Sequence, residues 1–354
     1  MRNSDPPRTN DSWRRLGLRL AVFCLPLALG WTALEWWAAE LPNIYSVKRE
    51  RLEAVSSGLE TLITGSSSAY WGIQPRLLSS SAFNLAGFNQ TLYEDDHLLT
   101  QVLPSLPKLK RVIIQIHYST LFFRLAGAPE HWRQYCYQQE WGIPPLQIKD
   151  RLDCRMWSRV ALRTPRYYLD LLTKAVWEKI RHGRFAVDQP EIDDMDDRGW
   201  CPAVHKKPVT SNLLNLAAAK DQRAIHTEMM KAAYEPYNIA CLDHMLSILR
   251  QRGIEVDFVT TPVWPSYLTI QSAECWNETQ RVVAQRTNNT NIHYYSFLTL
   301  PQLGPEDFYD IGHLSPSGST YFTGLLNSAL NRENPPAPTP APTPSPSSAA
   351  GARF

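Results

Sequence analysis

A short apolar run at residues 59–64 stops abruptly at Gly65-Ser66-Ser67-Ser68, and that stop limits the folds open to the chain. A run of this length bounded by glycine and serine reads as a buried strand rather than a helix. A strand ending in Gly-x-Ser carries a hydroxyl to the carboxyl edge of a sheet, where open α/β folds hold their ligands. The same residues are also ordinary loop composition, so their meaning depends on what the rest of the chain supplies.

The rest of the chain supplies more strands. Residues 81–86, 111–116, 254–260 and 292–297 have the same character, with Val112-Ile113-Ile114 forming the unbroken apolar run expected of a strand covered on both faces. Between them lie helical patterns at residues 92–103, closed by Pro104, and at 237–252. In the second, Ile239, Leu242, Leu246 and Leu249 make one apolar face and Gly253 supplies the cap. Short strands alternating with helices predict an α/β fold with a doubly wound, mainly parallel sheet. A chain of 354 residues accommodates one such domain plus extensions.

Far from the serines stands Asp310-Ile311-Gly312-His313, followed by Ser315 as an N-cap and Pro316 at the first position of a terminal helix. Asp310 and His313 are therefore expected in the loop entering that helix, where either alone reads as a polar loop residue. A serine hydroxyl is a poor nucleophile until an imidazole takes its proton and a carboxylate orients the imidazole. Ser67 (with Ser66 and Ser68 as alternatives), His313 and Asp310 supply those three groups.

These blocks resemble the first and last motifs of the SGNH (GDSL-like) hydrolase superfamily. Tyr70-Trp71-Gly72-Ile73-Gln74-Pro75, Phe83-Asn84-Leu85-Ala86 with Gln90, and the strand leading to an aromatic-Ser segment near 112–121 are similar to a membrane-anchored branch. That branch includes the D-alanyl transfer protein DltD and alginate-type O-acetyltransferases. The resemblance spans roughly residues 58–124 and 253–330. It implies a three-layer, flavodoxin-like sheet, Ser67 as nucleophile because it stands two after the glycine, and acyl transfer through an acyl-enzyme. It also implies a polysaccharide acceptor, an acyl-delivering multipass membrane partner and no cofactor. The superfamily's Gly-x-Asn-Asp block is missing, the corresponding strand end reading His117-Tyr118-Ser119. The candidate oxyanion donors are therefore the amides of Ser67 and Gly87 and the side chain of Asn89, with His117 and Trp264 as candidate substrate contacts. A plain esterase, and a non-catalytic scaffold protein of a polysaccharide machine, are the alternatives.

The remaining organisation follows from composition. Residues 1–15 carry Arg2, Arg8, Arg14 and Arg15 and are expected in the cytoplasm. Residues 16–39 read as a transmembrane signal anchor whose uncharged stretch, 20–34, is flanked by Arg19 and Glu35 snorkelling to the two interfaces, with Trp31, Trp36 and Trp37 as a belt. A cleaved signal peptide fits less well, because Trp37 would stand where a small residue is wanted if cleavage followed Ala39. The domain beyond is thus expected outside the cytoplasm, on a charged helical stalk at residues 40–57. The α/β domain is assigned to 58–124 and 235–332. Residues 125–234, with Trp132, Trp141, Trp157, Trp177 and Trp200, form a helical insertion lidding the site, its tryptophans serving as core or as sugar-stacking surfaces. The acidic run 191–197 lacks the pattern of a calcium loop and reads as a solvated face. The Pro-rich segment 333–354 cannot build a core and is expected to be disordered.

A net charge of +2 without a basic block excludes a nucleic-acid partner. Five of the six cysteines follow the anchor, and Cys136 with Cys154 is the first pair to consider for a disulfide. No Cys-x-x-Cys or clustered histidine suggests a metal. Sequons occur at Asn89, Asn277 and Asn288.

Overall fold

The computed structural model describes residues 9–128, 130–162, 165–182, 190–202, 216–287 and 291–331. The segment 333–354 and the sequon at Asn288 lie outside them. In chain order the helices are α1 (Thr9–Glu40), α2 (Ile44–Val55), α3 (Ser67–Gly72), α4 (Leu92–Val102), α5 (Arg133–Trp141), α6 (Ile148–Arg151) and α7 (Arg159–Leu162). They continue as α8 (Pro165–His182), α9 (Pro190–Asp193), α10 (Leu216–Met229), α11 (Glu235–Gln251), α12 (Ala273–Arg286) and α13 (Pro316–Leu330). The strands are β1 (Thr61–Thr64), β2 (Ala82–Asn84), β3 (Arg111–Gln115), β4 (Glu255–Thr260), β5 (Ile292–Ser296), β6 (Phe308–Asp310) and β7 (His313–Leu314). Two compact units result, Met1–Pro42 with Leu152–Val187 and Asn43–Arg151 with Asp188–Phe354.

The larger unit is α/β. Its five strands pair in parallel in the order β2-β1-β3-β4-β5, so the chain steps one way from β1 to β2 and the other way thereafter. That reversal puts a crevice at the carboxyl ends of β1 and β3, the position where such sheets hold ligands. Val112, Ile113 and Ile114 are all buried, as their unbroken apolar run requires. Helix α4 packs on α11, and α3 on α13. The predicted helix at 92–103 ends one residue earlier, because Pro104 turns Leu103–Ser105 into a 3-10 turn.

Several local ties fix the fold around β1. Asn84, fully buried, donates to the carbonyls of Ala69 and Ile73 at 2.9 Å and accepts from Ala86 N–H, pinning α3 to the end of β2. Lys48 of α2 donates to Asn84 O at 2.9 Å and to Ala86 O, and burial holds its ammonium well below the usual lysine range. Helix α2, expected as a free stalk, thus belongs to this unit, with Tyr45, Val47, Lys48 and Leu52 buried. The acidic run is more than a solvated face. Asp196 Oδ1 accepts from the N–H groups of Arg198 and Trp200 at 2.9 Å, and Asp197 pairs with Arg76.

The smaller unit contains α1, whose stretch Trp13–Glu40 is 28 residues long with a mean hydropathy of 1.6 in its most apolar window, sufficient to cross a bilayer by length and composition. Glu35 accepts from the N–H of Arg159 at 2.9 Å and from Ser158 Oγ, capping α7, and Ala38 packs with Val160, Trp37 and Leu34. Glu35 is half-buried there, a carboxylate set beside a helix N-terminus. Trp37 packs against the Ala38–Val160 pair, while Trp31 and Trp36 are exposed. Cys136 and Cys154 form no disulfide; they lie in different units.

Candidate functional site

The site begins where β1 ends. Gly65 holds φ at +131°, a conformation closed to side chains, and a Cβ there would meet Gln115 Cβ at 2.5 Å. Glycine is what allows the chain to turn so tightly against β3. Two groups then hold the turn: Asp95 Oδ1 accepts from Gly65 N–H at 3.2 Å, and Gln115 Oε1 accepts from Ser66 N–H at 3.0 Å and Ser66 Oγ at 2.8 Å. Burial lifts the Asp95 carboxyl to about 7 against the hydrogen bond from Gln90, which favours the charged form. Helix α3 starts at Ser67, whose own N–H, in the first turn, donates to no protein group among the described residues.

From the other end of the chain come β6 and β7. Asp310 and His313, predicted to lie in a loop, pair across a bulged two-stranded hairpin. Asp310 Oδ1 closes its turn by accepting Gly312 N–H at 2.8 Å, which is why so short a pairing persists. Helix α13 follows as the sequence indicates, with Ser315 as N-cap and Pro316 in its first turn. Ser319 and Thr323 of α13 both donate to Gly72 O, at 3.1 and 3.3 Å, tying this last helix to the end of α3.

These two ends meet. Ser67 Oγ lies 2.8 Å from His313 Nε2, and His313 Nδ1 lies 2.8 and 2.9 Å from the two oxygens of Asp310. The imidazole and the carboxylate are each 19% exposed, so the line of hydrogen bonds is largely shielded from solvent. The Trp71 ring stands edge-on to His313, centroids 4.7 Å apart, fixing the imidazole plane. Ser68 points elsewhere, to Gly312 O at 3.3 Å, and Ser66 is committed to Gln115.

A cavity of about 340 Å³ opens in front of Ser67. Phe123, Met229 and Met230 give it an apolar wall, and Asn89, His117 and His226 contribute polar ones. His117 and His226 are both pushed down by burial, to about 3 and about 4, and repulsion among neighbouring imidazoles lowers them further, so both rings are neutral near pH 7.

The other sequence-derived candidates fall in different places. Gly87 N–H already donates to Gly65 O at 3.1 Å and offers no donor to a ligand. Asn89 does line the cavity, in a left-handed conformation, with its amide donating to Glu130 at 2.9 Å. The Trp264 ring packs on Phe308, centroids 5.4 Å apart, and is not among the cavity's lining residues; neither is any tryptophan of the expected insertion. Asp95, Gln115 and His226 went unpredicted. Gln115 has a visible signal, a polar residue ending an apolar run, whereas His226 sits on α10 with nothing local to mark it.

No protein-family model matches the chain, and no curated protein matches it. Among solved structures it is similar to one provisionally described as a platelet activating factor from Streptococcus pneumonia. That similarity covers 86% of this chain and 99% of the other, with 12% sequence identity and a TM-score of 0.37.

Proposed function

We propose that this chain is a membrane-anchored, serine-dependent acyl-transfer protein of SGNH type with a doubly wound domain outside the cytoplasm, moving an acyl group to or from a polysaccharide hydroxyl. The observation that carries the reading is the continuous line Ser67 Oγ, His313, Asp310, assembled from the two ends of the α/β unit. His313 Nε2 takes the Ser67 proton while Asp310 holds Nδ1–H and steadies the imidazolium. Ser67 Oγ then attacks an ester carbonyl, and the oxyanion draws on the unoccupied N–H of Ser67 itself. Collapse expels the alkoxide, which takes the proton from His313, and leaves an acyl-enzyme. A sugar hydroxyl or water, deprotonated by His313, reverses the steps.

The apolar wall of Phe123, Met229 and Met230 suits a short acyl group, and the polar wall suits uncharged sugar oxygens. Helix α1 supports an anchor, with the arginines before it and in its first turns on the cytoplasmic side. No cofactor enters any step. An acyl-delivering membrane protein is the partner this chemistry needs if the donor is made inside the cell.

The test is covalent labelling of the full chain in detergent with a fluorophosphonate, compared with Ser67→Ala. Labelling of the unaltered protein that vanishes in folded Ser67→Ala is the expected result. Absence of Ser67-dependent labelling would replace this reading with a non-catalytic polysaccharide-binding scaffold.

A further inference from the structure

Two buried tyrosine hydroxyls each meet a histidine that lines the cavity holding Ser67. Tyr118 OH bonds His226 Nδ1, and Tyr267 OH bonds His117 Nε2, whose other nitrogen lies 3.0 Å from Ser119 Oγ. The direction of these bonds follows from a count of protons. Burial keeps both phenols protonated, and neither hydroxyl has another partner among the described residues, so each must donate to its imidazole. A neutral ring that accepts at one nitrogen carries its single proton on the other.

For His226 that other nitrogen is Nε2, which bonds no protein group among the described residues. For His117 it is Nδ1, which donates to Ser119 Oγ and leaves the serine's own hydrogen for a further acceptor. The 3.5 Å approach of Ser119 N–H to the same Nδ1 is too long to compete. His117, Ser119, His226 and Tyr267 all line the cavity that contains Ser67 and His313. Tyr267 ties this wall to the hairpin, since a Cβ on Gly312 would lie 3.2 Å from its ring.

We infer that His226 Nε2–H and Ser119 O–H are a pair of substrate-binding donors, oriented by Tyr118 and Tyr267, that hold an uncharged oxygen of the substrate in the cavity holding Ser67. The inference rests on the reading of Ser67 proposed above for its placement in catalysis, but not for the donors themselves. Neither donor brings a charge, so the pair selects a carbonyl or hydroxyl oxygen over a carboxylate or phosphate, which would be desolvated without a cation to meet it. Each donor is backed by a tyrosine buried beneath it, so its hydrogen is aimed before the ligand arrives.

The experiment uses the full chain carrying Ser67→Ala, in detergent, with histidine labelled in 15N. Long-range proton–nitrogen correlations at pH 7 should show His226 with its proton on Nε2, and Tyr118→Phe should release the ring to a mixture of tautomers. Two probes then identify the oxygen: ethyl acetate, which offers only an ester carbonyl, and methyl glucoside, which offers only hydroxyl and ether oxygens. A saturable shift of the His226 Nε2–H signal by either supports the pair and names its ligand, and Tyr118→Phe should weaken that binding about five- to tenfold. A proton on Nδ1 of His226 in the unaltered ring environment, or no shift with either probe, would overturn the inference. Failure of Ser67 to label would undo the acyl-transfer reading while leaving these signals as they are.

Discussion

Gly65 and Gln115 press against each other at the carboxyl ends of adjacent strands, with 2.5 Å between a Cβ built on the glycine and the Cβ of the glutamine. The contact decides how closely the nucleophile turn lies on β3, and the same glutamine then holds both donors of Ser66. Gly65→Ala combines a disfavoured φ with a backbone displacement. It is expected to cost about 1–3 kcal/mol from the conformation alone, visible as a lower urea midpoint with unchanged slope, and to slow fluorophosphonate labelling by moving Ser66 off Gln115 and Ser67 away from His313.

Asp310 holds His313 through both carboxylate oxygens and also closes the hairpin through Gly312 N–H. Asp310→Asn keeps an oxygen for Gly312 but presents an amide to Nδ1, which favours the wrong tautomer. The rate of Ser67 acylation should fall by roughly 10³–10⁴-fold, read by intact-protein mass spectrometry over time. A fall of less than tenfold would remove Asp310 from the mechanism.

The buried carboxyl of Asp95 makes stability depend on pH. Its value in the folded protein, about 7, stands above the ordinary 3.8, so its contribution is fully present below pH 4 and is lost as pH rises through 7. Asp95→Asn removes that loss. Relative to the variant, the natural protein should lose stability between pH 4 and 7 with a slope of up to about 1.4 kcal/mol per pH unit. His117 and His226 act in the opposite sense, since their lowered values penalise the folded state below the ordinary histidine range. They are common to both proteins and cancel in the comparison. Urea unfolding at several pH values measures the difference, and parallel curves would refute it.

Cys24 lies within α1 and Cys154 is exposed beyond it. In variants keeping one cysteine each, a membrane-impermeant maleimide applied to intact cells should modify Cys154 and leave Cys24 untouched until the membrane is dissolved. Labelling of Cys154 only after the cells are opened would reverse the assigned orientation.

The strands were legible because a sheet covered on both faces needs short apolar runs such as Val112-Ile113-Ile114 bounded by polar and turn residues. Ser67, Asp310 and His313 were legible as residue types at suggestive spacings. Their support was not, since it comes from polar residues whose partners are distant in sequence: Asn84 on α3, Gln115 on Ser66, Asp95 on Gly65. The hairpin of β6 and β7 was missed because two residues pairing with three carry no alternation to detect. Trp264 was expected at the cavity and instead packs on Phe308, a choice made by the path of β6 rather than by local composition. The acceptor role of Glu35 was not legible because it depends on α7, more than a hundred residues further along.

Ser67 and His313 are separated by 246 positions, and the ring arrives with the hairpin that precedes the closing helix. In the proposed mechanism the base therefore joins the nucleophile only when the β6–β7 hairpin has docked beside α3, so a chain interrupted before Asp310 would hold the serine without its base.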